Sequence, residues 1–289
     1  MSEKFGFTTR LLSPGALDGS LGVRVVQTAG NPTFREWVDR QSDPHWPMLP
    51  LTHVTRGTLA ERISREGTIE PSPCRVLGKE TAYFFYGRPA YRPSDARVVK
   101  AEFASPHCFI FKELLLGEAD AIHAFDTGAH ANRGYDHVLT EDMDTDDFNL
   151  VGDLSRPNKL IAKVFGSQAS YYAGDRSKIA EDIAEPFEHL ANAYVQLLKS
   201  PGRNEPDDRI CSIEVAIHDT VSLRRFLRAV VVPHTAWNAK ARAPWLEDIA
   251  YDGASIVTYD FVGGRPPEHY HVEIERSVRA LYRDWEVLV

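Results

Sequence analysis

The sequence has few cysteines and no long apolar run. Its three cysteines, Cys74, Cys108 and Cys211, lie far apart and form no Cys-x-x-Cys pair, which argues against a disulfide framework and a cysteine-rich zinc site. No run of about 18 apolar residues occurs, and the first residues lack the basic flank and apolar core of a secretory signal. We therefore expect a cytoplasmic protein without membrane segments, whose thiols are reduced and buried.

Several motifs that bind phosphate or supply a nucleophile are also missing. No Gly-x-Gly-x-x-Gly loop and no Gly-x-x-x-x-Gly-Lys-Ser/Thr loop is present, so the Rossmann and P-loop classes lack their phosphate-binding turn. There is no Gly-x-Ser-x-Gly nucleophile elbow. The formal net charge of -8 disfavours broad attraction to nucleic acid, although it leaves room for a local basic groove.

The chain is long and apolar enough for a substantial core, with 43% hydrophobic residues among 289. Residues 1–47 are rich in Gly, Pro, Asp and Ser, so we expect an N-terminal extension there. Short strand and helix patterns over residues 48–235 predict an α+β core domain. Residues 236–289 are expected to form a C-terminal extension whose amphipathic helix packs on that core.

Three segments of the expected core carry residues suited to chemistry. Leu51–Thr55 is typical of a strand end, and a helical pattern that stops at Gly67 follows it. Thr81–Tyr86 is an aromatic strand that must end at Gly87-Arg-Pro89, because proline cannot donate to a sheet ladder. Arg209–Ile217 alternates like a strand and contains Glu214.

Together these segments resemble the ADP-ribosyltransferase superfamily, in particular its histidine-containing branch. His53-Val-Thr55 is similar to the His-x-Thr element of that branch. Tyr83-Phe84 followed by Tyr91 is similar to its second element, and Glu214 to its strand glutamate. The order and spacing over about residues 49–233 resemble most the DarT-type DNA ADP-ribosyltransferases.

The resemblance implies a fold and an activity. The expected fold is α+β, with a split antiparallel sheet at its core and peripheral helices. The implied activity consumes NAD as a substrate without a metal, releases nicotinamide and modifies a macromolecular acceptor. Nucleic acid is the preferred acceptor and protein is close behind it, and an antitoxin-like partner is a further expectation.

The resemblance also implies a role for each matching residue. Breaking the nicotinamide bond builds positive charge on the ribose, which Glu214 would stabilise unless it instead accepts a proton from the incoming nucleophile. His53 would hold ribose hydroxyls, and Tyr83 would stack on the nicotinamide together with Tyr91. A planar guanidinium suits a pyrophosphate, so Arg88 is assigned to it.

Thr55 completes the residues that the resemblance implies for cofactor binding. Purely structural roles remain open for all of these residues. Glu214 can face solvent from an alternating strand, and His53 can be a satisfied structural residue. Tyr83 can be a packing residue, and Arg88 can belong to an ion-paired loop.

Two functions of other classes also remain open. The first is a noncatalytic module that binds NAD or a nucleotide with the same site. The second is a metal-dependent hydrolase, for which residues 120–153 supply five potential ligands: His123, Asp126, His130, Asp136 and His137. Their spacing matches no known metal motif, and a substrate-covering loop with a turn at Phe125–Gly128 is the simpler interpretation.

Overall fold

A mostly antiparallel sheet forms the centre of the protein. The computed structural model describes residues 32–90, 98–180, 182–200, 208–238, 240 and 242–288. The strands are β1 (Leu51–Arg56), β2 (Thr68–Ile69), β3 (Ser72–Pro73), β4 (Glu80–Tyr86), β5 (Pro106–Phe111), β6 (Ala121–His123), β7 (Glu214–Ile217), β8 (Val221–Ser222), β9 (Leu227–Pro233) and β10 (Ser255–Tyr259).

Helices cover the sheet, which confirms the expected α+β class. The helices are α1 (Phe34–Asp39), α2 (Gly57–Glu66), α3 (Thr127–Ala131), α4 (Arg156–Phe165), α5 (Gln168–Tyr172), α6 (His189–Lys199), α7 (Leu223–Phe226), α8 (Pro244–Tyr251) and α9 (Pro267–Asp284). None of the helices in the described ranges has both the length and the apolar character that crossing a bilayer requires.

The order of the main sheet is β10-β9-β5-β1-β4-β7-β6, in which β9 and β10 are parallel and the other neighbours are antiparallel. β1 pairs with β5 over its whole length, whereas it pairs with β4 only at Leu51 and Thr52. The ladder between β1 and β4 therefore ends where His53 begins. A break of this kind is compatible with a split sheet, while the specific ADP-ribosyltransferase fold stays a prediction.

One row of residues crosses the sheet and fixes which side chains share a face. Thr52 pairs with Phe85, Phe85 with Glu214, and Glu214 with His123. Directly paired residues of antiparallel strands point to the same face, and neighbours along a strand point to opposite faces. The register thus places Thr52, and not His53, on the face that carries Glu214.

Local sequence signals explain where several elements end. Gly67 ends α2 in a left-handed conformation with φ 71°, as the pattern predicts. α6 begins only at His189, because Pro186 upstream of it cannot occupy a helix interior. The expected strand from Arg209 to Ile217 also begins late, at Glu214, since a 3₁₀ turn occupies Asp208–Cys211.

Described residues beyond both expected limits of the core domain pack in the hydrophobic core. Phe34, Trp37 and Val38 of α1 are buried in the main hydrophobic cluster. β10 extends the sheet beside β9, and α9 packs on β5, β9 and β10. Apolar side chains on both sides of residues 47 and 235 therefore share one hydrophobic cluster.

Candidate functional site

Glu214 is a buried carboxyl group held by the first residue of α3. Its side chain is 4% exposed. The hydroxyl of Thr127 donates to Glu214 Oε1 at 2.5 Å, and the Thr127 N–H donates to Oε2 at 3.3 Å. Burial, and then the nearby carboxylate of Asp126, raise the pKa of Glu214 well above its usual value. Glu214 therefore keeps a proton more readily than an exposed glutamate does.

Asp126 is the second carboxyl group of the site, and it is compensated by a cation. Its Oδ1 accepts the Ala129 N–H at 2.9 Å and caps α3. Its Oδ2 lies 2.9 Å from Nη1 of Arg209, which comes from the 3₁₀ turn before β7. This ion pair holds Thr127 next to Glu214, because Thr127 directly follows the capped residue.

Tyr83 and Cys74 complete the polar group, which we call the Glu214 cluster: Glu214, Thr127, Asp126, Tyr83 and Cys74. The hydroxyl of Tyr83 lies 2.7 Å from Sγ of Cys74. Burial, the bond to Cys74 and the charge of Glu214 raise the pKa of Tyr83, so its hydroxyl is protonated at neutral pH.

The Cys74 thiol has an unusual environment for a half-buried cysteine. Its sulfur accepts the N–H groups of Val76 at 3.3 Å and Leu77 at 3.4 Å, in addition to its contact with Tyr83. Burial by itself would raise the pKa of the thiol, but the hydrogen bonds from Tyr83, Leu77 and Val76 outweigh it and hold the pKa below its usual value. The other two cysteines are buried.

His53 contacts the backbone of Tyr83 where β1 and β4 stop pairing. Its Nδ1 lies 2.8 Å from the Tyr83 carbonyl oxygen. Burial lowers the pKa of His53, so the ring is neutral at pH 7. A carbonyl only accepts, so Nδ1 must carry the proton, and Nε2 is left as an acceptor for a hydroxyl group.

The structure places Tyr83 next to both of the other predicted catalytic residues, His53 and Glu214, but it does not place those two next to each other. Tyr83 is the link, because its carbonyl holds His53 while its hydroxyl lies in the Glu214 cluster. The side chains of His53 and Glu214 leave the sheet on opposite faces by strand alternation, so they can share a ligand only across the break between β1 and β4.

The other residues predicted to bind the cofactor are Arg88, Thr55 and Tyr91, and their positions differ. Arg88 is 2% exposed and lies against α5 and α9, with Nη2 3.8 Å from Glu275 and its guanidinium carbon 6.0 Å from the ring centroid of Tyr171. These contacts are compatible with a structural ion pair, and the assignment of Arg88 to a pyrophosphate stays a prediction. Thr55 is buried and pairs with His107 of β5. Tyr91 lies outside the described residues.

The five potential metal ligands of residues 120–153 do not converge. His123 is buried beside Glu214, and Asp126 is paired with Arg209. His130 stacks on Phe125, with 6.1 Å between ring centroids, while Asp136 and His137 are exposed. Among the described residues, no three His, Cys, Asp or Glu side chains form a group that would hold a metal ion.

His123 offers a test of this arrangement. Its ring is fully buried, and neither ring nitrogen has a hydrogen-bond partner within the part of the chain that the structure describes. Burial lowers its pKa to about 4. His123→Leu removes a buried polar group that lacks a partner, so we expect the free energy of unfolding at pH 7 to rise by about 1 kcal/mol in urea denaturation.

The gain should grow as pH falls from about 6.5 towards 4, since only the unfolded wild type takes up a proton at this histidine in that range. Exposed His137→Leu is the matched control and should leave the stability at both pH values nearly unchanged. A large loss of stability in His123→Leu would contradict this description and favour a ligand-binding role for the ring.

Sequence reasoning missed three members of this region. Thr127, Cys74 and Arg209 carry no motif, although the turn expected at Phe125–Gly128 contains Asp126-Thr127, a helix-capping pair that pointed to the beginning of α3. Comparisons with models of protein families, with curated proteins and with solved structures found no match. The argument for a function therefore depends on the residues themselves.

Proposed function

We propose that this protein is an NAD-dependent ADP-ribosyltransferase that releases nicotinamide and modifies a macromolecular acceptor. The observation that carries the proposal is the double contact of Tyr83. The Tyr83 carbonyl orients His53 at 2.8 Å, and the Tyr83 hydroxyl lies beside the Thr127–Glu214 pair. The resemblance of His53, Tyr83 and Glu214 to the superfamily's three elements supplies the identity of the substrate.

Each residue would have a separate task in this reaction. Nε2 of His53 accepts a ribose hydroxyl, and the ring of Tyr83 packs against nicotinamide. Glu214 faces the ribose carbon as the bond to nicotinamide breaks, and its carboxyl group either stabilises the developing positive charge or takes the proton of the acceptor. Nucleic acid is the acceptor we place first, and protein second.

A noncatalytic NAD-binding module is the second candidate, and the burial of Glu214 favours it. The two hydrogen bonds from Thr127 engage both carboxyl oxygens and hold the group against α3. A buried carboxyl group with a raised pKa suits a neutral hydrogen-bonding role in a binding module better than it suits catalysis by a carboxylate.

One experiment tests the proposal. The purified full chain is incubated with NAD labelled in the adenosine half, together with single-stranded DNA, RNA or a protein mixture, and free nicotinamide is measured by chromatography. We expect nicotinamide release, transfer of label to one acceptor class and indifference to a chelator. NAD binding without release would support the binding module, and loss of release with a chelator would support the metal-dependent hydrolase.

His53 should act on NAD affinity more than on the rate of the chemical step. His53→Ala removes one hydrogen bond to a hydroxyl of the bound substrate, so we expect the KM for NAD to rise about tenfold with a small change in kcat. The control is His45→Ala, whose imidazole is 87% exposed. Equal KM values for the two variants would remove His53 from the site.

A further inference from the structure

A second cleft lies at the far end of β1, away from the Glu214 cluster. It encloses about 670 Å³, within the range of roughly 300–1,000 Å³ typical of small-molecule sites. It is lined by the beginning of α2, by residues 102–103, by His107 of β5 and by residues between 235 and 245. We call it the Trp245 cleft, after the residue that forms its wall.

Aromatic rings form one part of the Trp245 cleft. Trp245 lines the cleft beside His107, with 5.9 Å between their ring centroids. Burial lowers the pKa of His107 to about 4, so this ring is neutral at pH 7. Phe103 also lines the cleft and is 65% exposed. An exposed phenyl ring and a neutral indole–imidazole wall suit a flat aromatic ligand.

Positive groups form a second part. Thr58, in the first turn of the ten-residue helix α2, lines the cleft, and Arg56 at the N-cap makes no side-chain capping bond. The N–H of Gly57, the first residue of α2, donates to the Ser105 carbonyl oxygen at 2.9 Å, and no side chain in the described ranges caps the N–H groups that follow it. The exposed side chains of Lys240 and Arg242 line the same space. These groups suit a phosphate.

Hydroxyl-binding groups form a third part. Thr235 lines the cleft, and its hydroxyl oxygen is buried without a hydrogen-bond partner among the described residues. Rotation of this short side chain towards the cleft would bring the hydroxyl within reach of a ligand. Glu102 also lines the cleft, and carboxylates commonly accept hydrogen bonds from ribose hydroxyls. The other acidic residue, Glu61, is paired with Arg65 at 2.6 Å.

We propose that the Trp245 cleft binds a nucleoside 5′-monophosphate group. A nucleoside 5′-monophosphate combines the flat ring, the hydroxyl groups and the anion that this lining suits. The group can come from a free nucleotide, from the adenosine half of NAD or from a nucleic-acid strand. The proposal stands independently of the transferase activity, since it uses none of the residues assigned to the Glu214 cluster.

Isothermal titration calorimetry with the full chain tests it, with AMP, NAD and a short oligothymidylate as the three probes. Two variants remove cleft groups without disturbing the core: Thr235→Val deletes the unpartnered hydroxyl, and Arg242→Gln deletes an exposed charge. We expect each to raise the Kd of the bound probe about tenfold. Exposed Arg224→Gln should change nothing, and Thr235→Val should keep the melting temperature of the wild type.

The results show which molecule supplies the nucleoside monophosphate group and whether the proposal holds. A lower Kd for NAD than for AMP would identify the dinucleotide, and a lower Kd for the oligothymidylate than for either would identify a strand. A lower Kd for AMP than for the other two probes would identify a free nucleotide. No binding of any probe, or equal binding by wild type and both cleft variants, would overturn the proposal. Glu214→Gln should leave AMP binding intact even where nicotinamide release fails.

Discussion

Glu214→Gln is expected to lower the rate of nicotinamide release by roughly a hundredfold or more. The amide has the same shape as the carboxyl group, and its oxygen still accepts the Thr127 hydroxyl, so only the weaker bond from the Thr127 N–H at 3.3 Å is lost. The variant also loses the ability to ionise, and with it the negative charge that the ribose centre requires as the bond breaks. Nicotinamide release at saturating NAD, measured by chromatography, reports the effect.

The same variant makes a separate prediction about stability. The pKa of Glu214 is raised in the folded protein, so wild type gains stability below the unfolded value of about 4.5 and loses it as pH rises through the folded value. Glu214→Gln has no ionisable group at this position, so its stability does not fall in this way as pH rises. Its stability relative to wild type, measured by urea unfolding, should therefore be greater at pH 8 than at pH 5.

Glu247→Gln is the control for both measurements, because Glu247 is an exposed residue of α8. It should match wild type in activity and in the pH dependence of stability. Full activity in Glu214→Gln would remove this residue from catalysis, and an unchanged difference between pH 5 and pH 8 would contradict its raised pKa.

Arg209→Met is expected to reduce the free energy of unfolding by about 3–5 kcal/mol, the usual cost of removing one partner of a buried ion pair. The loss leaves Asp126, whose side chain is 4% exposed, without the cation at 2.9 Å. A second buried carboxyl group, Glu214, lies near enough to be repelled. Urea unfolding at pH 7 measures the change.

An exposed ion pair supplies the control for Arg209. Arg225 lies 3.0 Å from Glu118, with 64% and 45% of the two side chains exposed, and Arg225→Met should cost less than about 1 kcal/mol. The double variant Arg209→Met with Asp126→Asn should recover most of the stability, since asparagine also caps a helix. An equal loss of unfolding free energy in Arg209→Met and Arg225→Met would show that the buried ion pair adds no more stability than the exposed one.

The sequence predicted elements whose signals are local. The aromatic and β-branched residues of β4 and the break at Gly87 were visible directly. So were α2 with its stop at Gly67 and the amphipathic helix α9, because apolar spacing records which side of an element is buried. The types of residue at the candidate site, His53, Tyr83 and Glu214, could also be selected, although only from the resemblance.

Contacts between distant segments could not be predicted in this way. Thr127 and Glu214 are 87 residues apart and meet only because β6 and β7 pair at His123 and Glu214. Arg88 looked like a phosphate ligand in a loop, but it is buried against Glu275 of α9. Neither the spacing nor the composition of the sequence shows that α9 packs against Arg88.

The sequence by itself determined the α+β class and an aromatic strand followed by a turn. Through the resemblance, it also predicted a set of residues for the proposed NAD chemistry. Only the tertiary structure decided that Tyr83 joins His53 to Glu214, that Arg209 neutralises Asp126 and that a separate cleft forms beside Trp245. The reason is physical: side-chain periodicity is a local property, whereas burial, register and the pKa of a carboxyl group depend on which distant segments exclude water from it.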